Sequence, residues 1–258
     1  MHLINIRTLK LESFLGDDQT PPRAQFKSRR QGYRKIAKFC NVVQEQQEWM
    51  LARTMGVTAT PVDYAWVDTC CINKESSAEL SEAINSMFRW YQRAVCCIVW
   101  LSDVTAREFL FRHRLRSRWF YRGWTLQELI APRECYFYNK DWEYMGDRLR
   151  NFEVLSGLTH IDASFLDCND YQGASIAEKM SWASRRQTTR AEDRAYSLLG
   201  IFDINMPLLH GEGGEKAFIR LQEEILKESS DERTAQGSLH TPGRTGAIHK
   251  ACVQVIFI

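Results

Sequence analysis

Between residues 64 and 102 the chain spells a strand, a capped helix and a second strand, and this succession limits the fold more than any other part of the sequence. Residues 64–68, YAWVD, alternate and carry large side chains, as a strand whose carboxyl end delivers Asp68 into a loop. Ser76 with Glu79 three residues on forms a capping-box pattern. Leu80, Ala83, Ile84, Met87, Phe88 and Tyr91 then recur at helical spacing and make one apolar stripe. VCCIVWLS at 95–102 is a continuous apolar run of strand length, expected where both faces of a strand are covered. Two such strands around a helix form the βαβ unit of a parallel sheet, so the fold class is α/β.

The flanking segments extend this unit. Residues 2–15 carry two short alternating runs that can pair as a hairpin, and 33–50 place Ile36, Phe39, Cys40, Val43 and Trp49 on one helical face. A helix opens at 125–129 and is limited by Pro132, and ECYFY at 134–138 reads as a further strand. The pattern weakens over 149–173. Helices are expected at 176–184, 194–202 and 216–226, the last with Phe218, Leu221 and Ile225 on its apolar side. After Ser229 the composition turns to Ser, Thr, Gly, His and Arg, as in a disordered tail, and the terminal ACVQVIFI is apolar but too short to cross a bilayer. Three regions follow: an α/β domain over 1–148, a helical extension over 149–228 and a tail over 229–258.

Several function classes are excluded. A formal net charge of +2, from 34 basic and 32 acidic residues, offers no general attraction to nucleic acid or anionic membrane. The eight cysteines include two adjacent pairs and no CxxC, and the N-terminus lacks a secretory apolar run, so reduced thiols and a cytoplasmic location are expected. Adjacent cysteines in a strand point to opposite faces and act as small apolar residues. The six histidines form no HExxH, so no metal site is expected, and no apolar run reaches the roughly 18–20 residues of a membrane span. GEGGEK at 211–216 does not follow phosphate-loop spacing, and Ala217 stands where a magnesium-binding hydroxyl belongs; it reads as a glycine turn before a helix. No GxSxG elbow occurs.

The residues with chemical promise lie elsewhere. Within RWFYRGWTLQELIAP, at 118–132, Glu128 is a lone carboxylate behind aromatics and arginines, either a catalytic group or a helix residue. Asp68 stands where open α/β sheets bind ligands, outside the carboxyl end of a strand, or it caps the loop that follows. Trp124 can stack on a base or fill the core. Arg185, Arg186, Arg190 and Arg194 beside Glu192 and Asp193 read as a salt-bridged helix surface, with an interaction face as the alternative.

At the hairpin HLINIRTLKLESF, the block YAWVDTCCINKESSAELSEAINSMFRWYQRA, the block RGWTLQELIAP and the run ASRRQTTRAEDRAYSLLGIFDINMPLLHGEGGEKAFIRLQEEI, the chain resembles the fungal heterokaryon incompatibility (HET) domain family. That resemblance implies non-self recognition between hyphae and regulated cell death, a cytoplasmic setting, and protein partners through self-association or a sensor protein. HET domains are in turn similar to TIR domains of innate immunity, which implies a flavodoxin-like parallel sheet flanked by helices. Some TIR domains cleave nicotinamide from NAD with one glutamate in a Trp-Cys-x-x-Glu-Leu segment. WTLQEL matches it with Thr125 in place of the cysteine, which would make Glu128 the catalytic residue, with Asp68 and Trp124 shaping the NAD site. One departure stands out: the family's YAILSHTWG-like strand is replaced by PPRAQFKSRRQGYRKI, so the central first strand is expected to be missing. Three readings stay open at this point: an interaction module, an NAD glycohydrolase, and a truncated inactive paralogue.

Overall fold

The computed structural model describes residues 2–14, 31–53, 62–105, 117–167, 171–235 and 252–257. They form a mixed α/β fold around one seven-stranded sheet. The alternating N-terminus pairs as the antiparallel strands β1 (His2–Asn5) and β2 (Lys10–Ser13). Helix α1 (Gln31–Arg53) follows and buries Ile36, Phe39, Cys40 and Val43; the side chain of Trp49 lies outside the described residues.

β3 (Tyr64–Val67) ends at Asp68, which opens the single turn α2 (Asp68–Cys71) rather than a loop. In α3 (Ser77–Arg93) the Ser76 hydroxyl accepts the Glu79 N–H at 3.3 Å, one half of the capping box. The Glu79 carboxylate does not return to Ser76. It accepts the Asn73 N–H at 3.1 Å and lies 3.2 Å from His2 Nε2, which ties the helix start to the hairpin. Ala83, Ile84, Met87, Phe88 and Tyr91 are buried as their spacing requires, and β4 (Cys96–Trp100) is buried at every position. The next crossover carries α4 (Thr125–Ile130) to β5 (Cys135–Tyr138), and β6 (Tyr144–Asp147) returns antiparallel. β6 escapes a periodicity reading because YMGD does not alternate in polarity and Gly146 takes a φ of 119° within it.

The extension folds as α5 (Phe152–Thr159), α6 (Ala163–Asp167), α7 (Ile176–Ala183), α8 (Asp193–Tyr196) and α9 (Gly214–Ala235). The helix expected at 194–202 breaks into α8 and a 3-10 turn, Leu199–Ile201. Gly200 lets that turn press on α3, since a Cβ there would meet the Phe88 Cβ at 2.1 Å.

The strand order is β2-β1-β3-β7-β4-β5-β6, with β7 (Cys252–Phe257) parallel to both of its neighbours. Two expectations change here. The sheet does not lack its centre, because the opposite end of the chain occupies it. The region from 229, expected to be a tail, carries the end of α9 and this strand. CVQVIF is the uncharged, largely apolar run that a fully covered parallel strand demands, but its partners are far away in sequence, so local pattern could not place it. Of the segment 21–36, expected to replace the family's strand, residues 21–30 lie outside the described residues and 31–36 open α1.

Candidate functional site

A cavity of about 270 Å³ brings Asp68, Trp124 and Glu128 together. Asp68 reaches it from the carboxyl end of β3, and Trp124, Thr125 and Glu128 from the start of α4. Leu80, Ile84, Met87 and Tyr91 supply an apolar wall from α3, while Arg190, Asp193 and His210 close it from the extension.

The local fold around Glu128 is held by short-range bonds. Ser117 caps the 3-10 turn Arg118–Tyr121 by accepting the Trp119 N–H at 3.2 Å, and its own hydroxyl donates to Asp103 at 2.7 Å. The Thr125 hydroxyl donates to the Trp119 carbonyl at 2.6 Å, fixing the first turn of α4. Every residue of α4 is buried. Gln127, 0% exposed, donates to the Ser197 carbonyl at 2.7 Å and so ties α4 to the extension. At the other end Arg148, 1% exposed, donates to the carbonyls of Leu129 (2.7 Å), Pro132 (3.0 Å) and Arg133 (2.9 Å). A cation there satisfies carbonyls at and just beyond the end of α4 and complements its dipole.

Glu128 is 7% exposed, and burial with the nearby Asp68 carboxyl pushes its pKa up to about 8 against the pull of Arg122, Trp119 and Arg186. At neutral pH it therefore holds its proton. Its Oε2 is buried without a hydrogen-bond partner, and so is Oδ1 of Asp68. Burial also raises Asp68, opposed by Lys74 and Arg122. Burial, with the nearby Glu128 carboxyl, raises the Tyr91 hydroxyl in turn.

Trp124 is half-buried: it packs on the core, donates its indole N–H to Asp193 at 3.1 Å and still lines the cavity. Core packing and cavity lining thus coexist in one side chain. The glycine turn of GEGGEK serves the same wall. Gly211 and Gly213 take φ of 96° and 88° and both donate to the Glu192 carboxylate, at 2.9 and 3.2 Å, beside His210.

Within the arginine-rich run Arg185, Arg190 and Arg194 are exposed, and Arg186 alone departs from the expected surface role. Arg186 is 7% exposed and donates to the Arg122 carbonyl and to Thr125 Oγ1, both at 2.9 Å, while its Nη2 has no partner. Burial pulls its pKa down to about 10, against the attraction of Glu128. Sequence reasoning missed Tyr91, Arg186, Asp193 and His210 as site residues. Their signal was present only as ordinary core and surface patterns, because they join the site through tertiary packing.

The arrangement suits a ligand with both charges. Lys74, Arg122 and Arg190 at the cavity can receive anionic groups, the indole and apolar wall can take a flat ring, and the paired carboxyls can face a cationic or electron-poor carbon. Among the described residues no cluster of metal-ligating side chains occurs, and no helix is long and apolar enough to cross a membrane.

The family described as Heterokaryon incompatibility protein (HET) matches residues 16–118. The chain is also 42% identical, over 207 residues, to the Vegetative incompatibility protein HET-E-1 of Podospora anserina. That match covers 76% of this chain and 14% of the relative, so the chain spans a small part of the relative's length. A contiguous span of that share contains Asp68, Trp124 and Glu128 wherever it starts. No solved structure matches.

Proposed function

Because the chain belongs to the heterokaryon incompatibility family, we propose that it is a signalling domain in fungal non-self recognition and in the regulated cell death that follows fusion of incompatible strains. The carrying observation is the 42% identity to a protein named for vegetative incompatibility. The domain would act in the cytoplasm through self-association or a sensor protein. The filled centre of the sheet favours a working domain over a defective paralogue, and a single cooperative thermal melt is the expected behaviour. The parallel run β3-β7-β4-β5 supports a flavodoxin-like, TIR-related reading, with β7 in the place of the first strand.

A second reading is favoured by the convergence of Asp68, Trp124 and Glu128 on one cavity: cleavage of nicotinamide from NAD or a related dinucleotide. In that reaction the bond from ribose C1′ to the ring nitrogen breaks, its electron pair neutralises the pyridinium, and water adds to the oxocarbenium-like carbon and gives up a proton. Glu128 in its ionised form would stabilise that carbon. A pyridinium beside Glu128 favours the ionised carboxylate, so binding releases a proton and tightens as pH rises toward 8. Incubating the concentrated full chain with NAD, beside a Glu128→Gln variant of matched circular dichroism, tests this. Nicotinamide release that depends on Glu128 supports cleavage; no release from the folded protein leaves the interaction role alone.

A further inference from the structure

The two strands that flank β7 share no ladder with each other. β3 pairs with β1 on one side and β7 on the other, and β4 pairs with β5 and β7. Without β7 the sheet would fall into two three-stranded pieces, β2-β1-β3 and β4-β5-β6, each with a bare parallel edge at the centre of the molecule. The cavity is divided between these same pieces. Asp68 directly continues β3, whereas Glu128 lies on α4 in the crossover from β4 to β5. α2, which Asp68 opens, packs against β7 itself.

We infer that the space between β3 and β4 is a strand-binding slot for one uncharged, apolar segment running parallel to both walls, and that its occupant, residues 252–257, holds the two carboxylate-bearing halves of the cavity together. The walls fix that chemistry. Ala65, Trp66 and Val67 on one side and Cys96 to Trp100 on the other are buried, so a charged residue placed among them would lose its hydration without gaining a counter-charge. A proline would remove a ladder N–H inside a central strand, and CVQVIF contains neither proline nor charge. Residues 252–255 pair with 64–67, and residues 253–257 with 96–100, so the segment satisfies both edges at once. The register also places the end of β7 at the carboxyl ends of β3 and β4, the side on which Asp68 lies. This inference stands independently of NAD cleavage, since it concerns assembly of the cavity and not its ligand.

The test uses the full chain with Val255→Pro, at the position that faces both Val67 and Ile98. Those amides of Tyr64–Val67 and Cys96–Trp100 that point toward β7 should exchange at least ~10-fold faster than in the unaltered chain, with α3 still protected. A fluorescent synthetic peptide of residues 250–258 should bind the variant saturably and restore that protection. Unchanged exchange in β3 and β4, or a folded variant that takes up no peptide, overturns the slot. Gln254→Cys in the otherwise unaltered chain keeps the test decisive should the proline variant fail to fold. Position 254 faces Cys97 in the register, so mild oxidation should link them, within one chain or between two, as read by peptide mapping. Absence of that link contradicts the slot.

Discussion

Two buried arginines, Arg148 and Arg186, stand at opposite ends of α4 in different surroundings. Arg148 commits both terminal nitrogens to three backbone carbonyls at the end of the helix and leaves only its Nε unpaired. Arg186 leaves its Nη2 unpaired and faces a protonated glutamate whose own Oε2 is unpaired. Each arginine keeps one orphaned nitrogen, so the difference lies in the surroundings: Arg148 is spent on backbone carbonyls and fixes a helix end, while Arg186 stands beside a carboxyl that is itself orphaned.

The same substitution at the two positions should expose the contrast most clearly. Arg148→Met leaves three carbonyls without donors and should cost roughly 3–5 kcal/mol in denaturant unfolding, with the pH dependence of stability unchanged. Arg186→Met should cost less, roughly 1–3 kcal/mol, and should raise the Glu128 pKa further by removing a neighbouring cation. Equal costs with equal pH profiles would erase the distinction.

Glu128→Gln follows with a smaller effect of opposite sign. The folded protein keeps a proton up to about pH 8 that the unfolded chain releases near 4.5. Stability is therefore fullest below pH 4.5 and falls as pH climbs toward 8, by at most about 1.4 kcal/mol per unit. The amide side chain of the variant carries no such proton, so its melting temperature should stay flatter across that window and exceed the parent's at pH 8. The smallest change is expected far from the cavity. Ser76→Ala removes the cap on α3 and should cost roughly 0.5–1 kcal/mol while leaving the pH profile as it is, a control for general destabilisation.

What could be read in advance depended on how local its cause was. The stripe from Ala83 to Tyr91, the cap at Ser76 and the apolar strand at 96–100 follow from periodicities within a few turns, and they appear where the pattern places them. The role of β7 could not be read that way, because a strand's identity is local but its place in a sheet is not. Within the cavity, Glu128, Asp68 and Trp124 were legible from their motif and strand-end positions. Arg186, packed behind the cavity wall, was not: the string RRQTTRAED is charged enough to read as solvated surface, and only packing against Thr125 and the Arg122 carbonyl takes it into the interior. His210 joins the wall through a glycine turn whose geometry rests on Glu192, a contact between distant residues.

The protonated state of Glu128 is the centre of this account, because it links the orphaned oxygen, the neighbouring Asp68 and the charge of any ligand. Its titration can be followed directly by carboxyl carbon-13 chemical shift in selectively labelled protein, with Glu128→Gln used to assign the signal. A midpoint near 8 is the predicted result. A midpoint in the ordinary carboxylate range, near 4.5, would contradict the account and leave α4 as a structural helix with no poised acid.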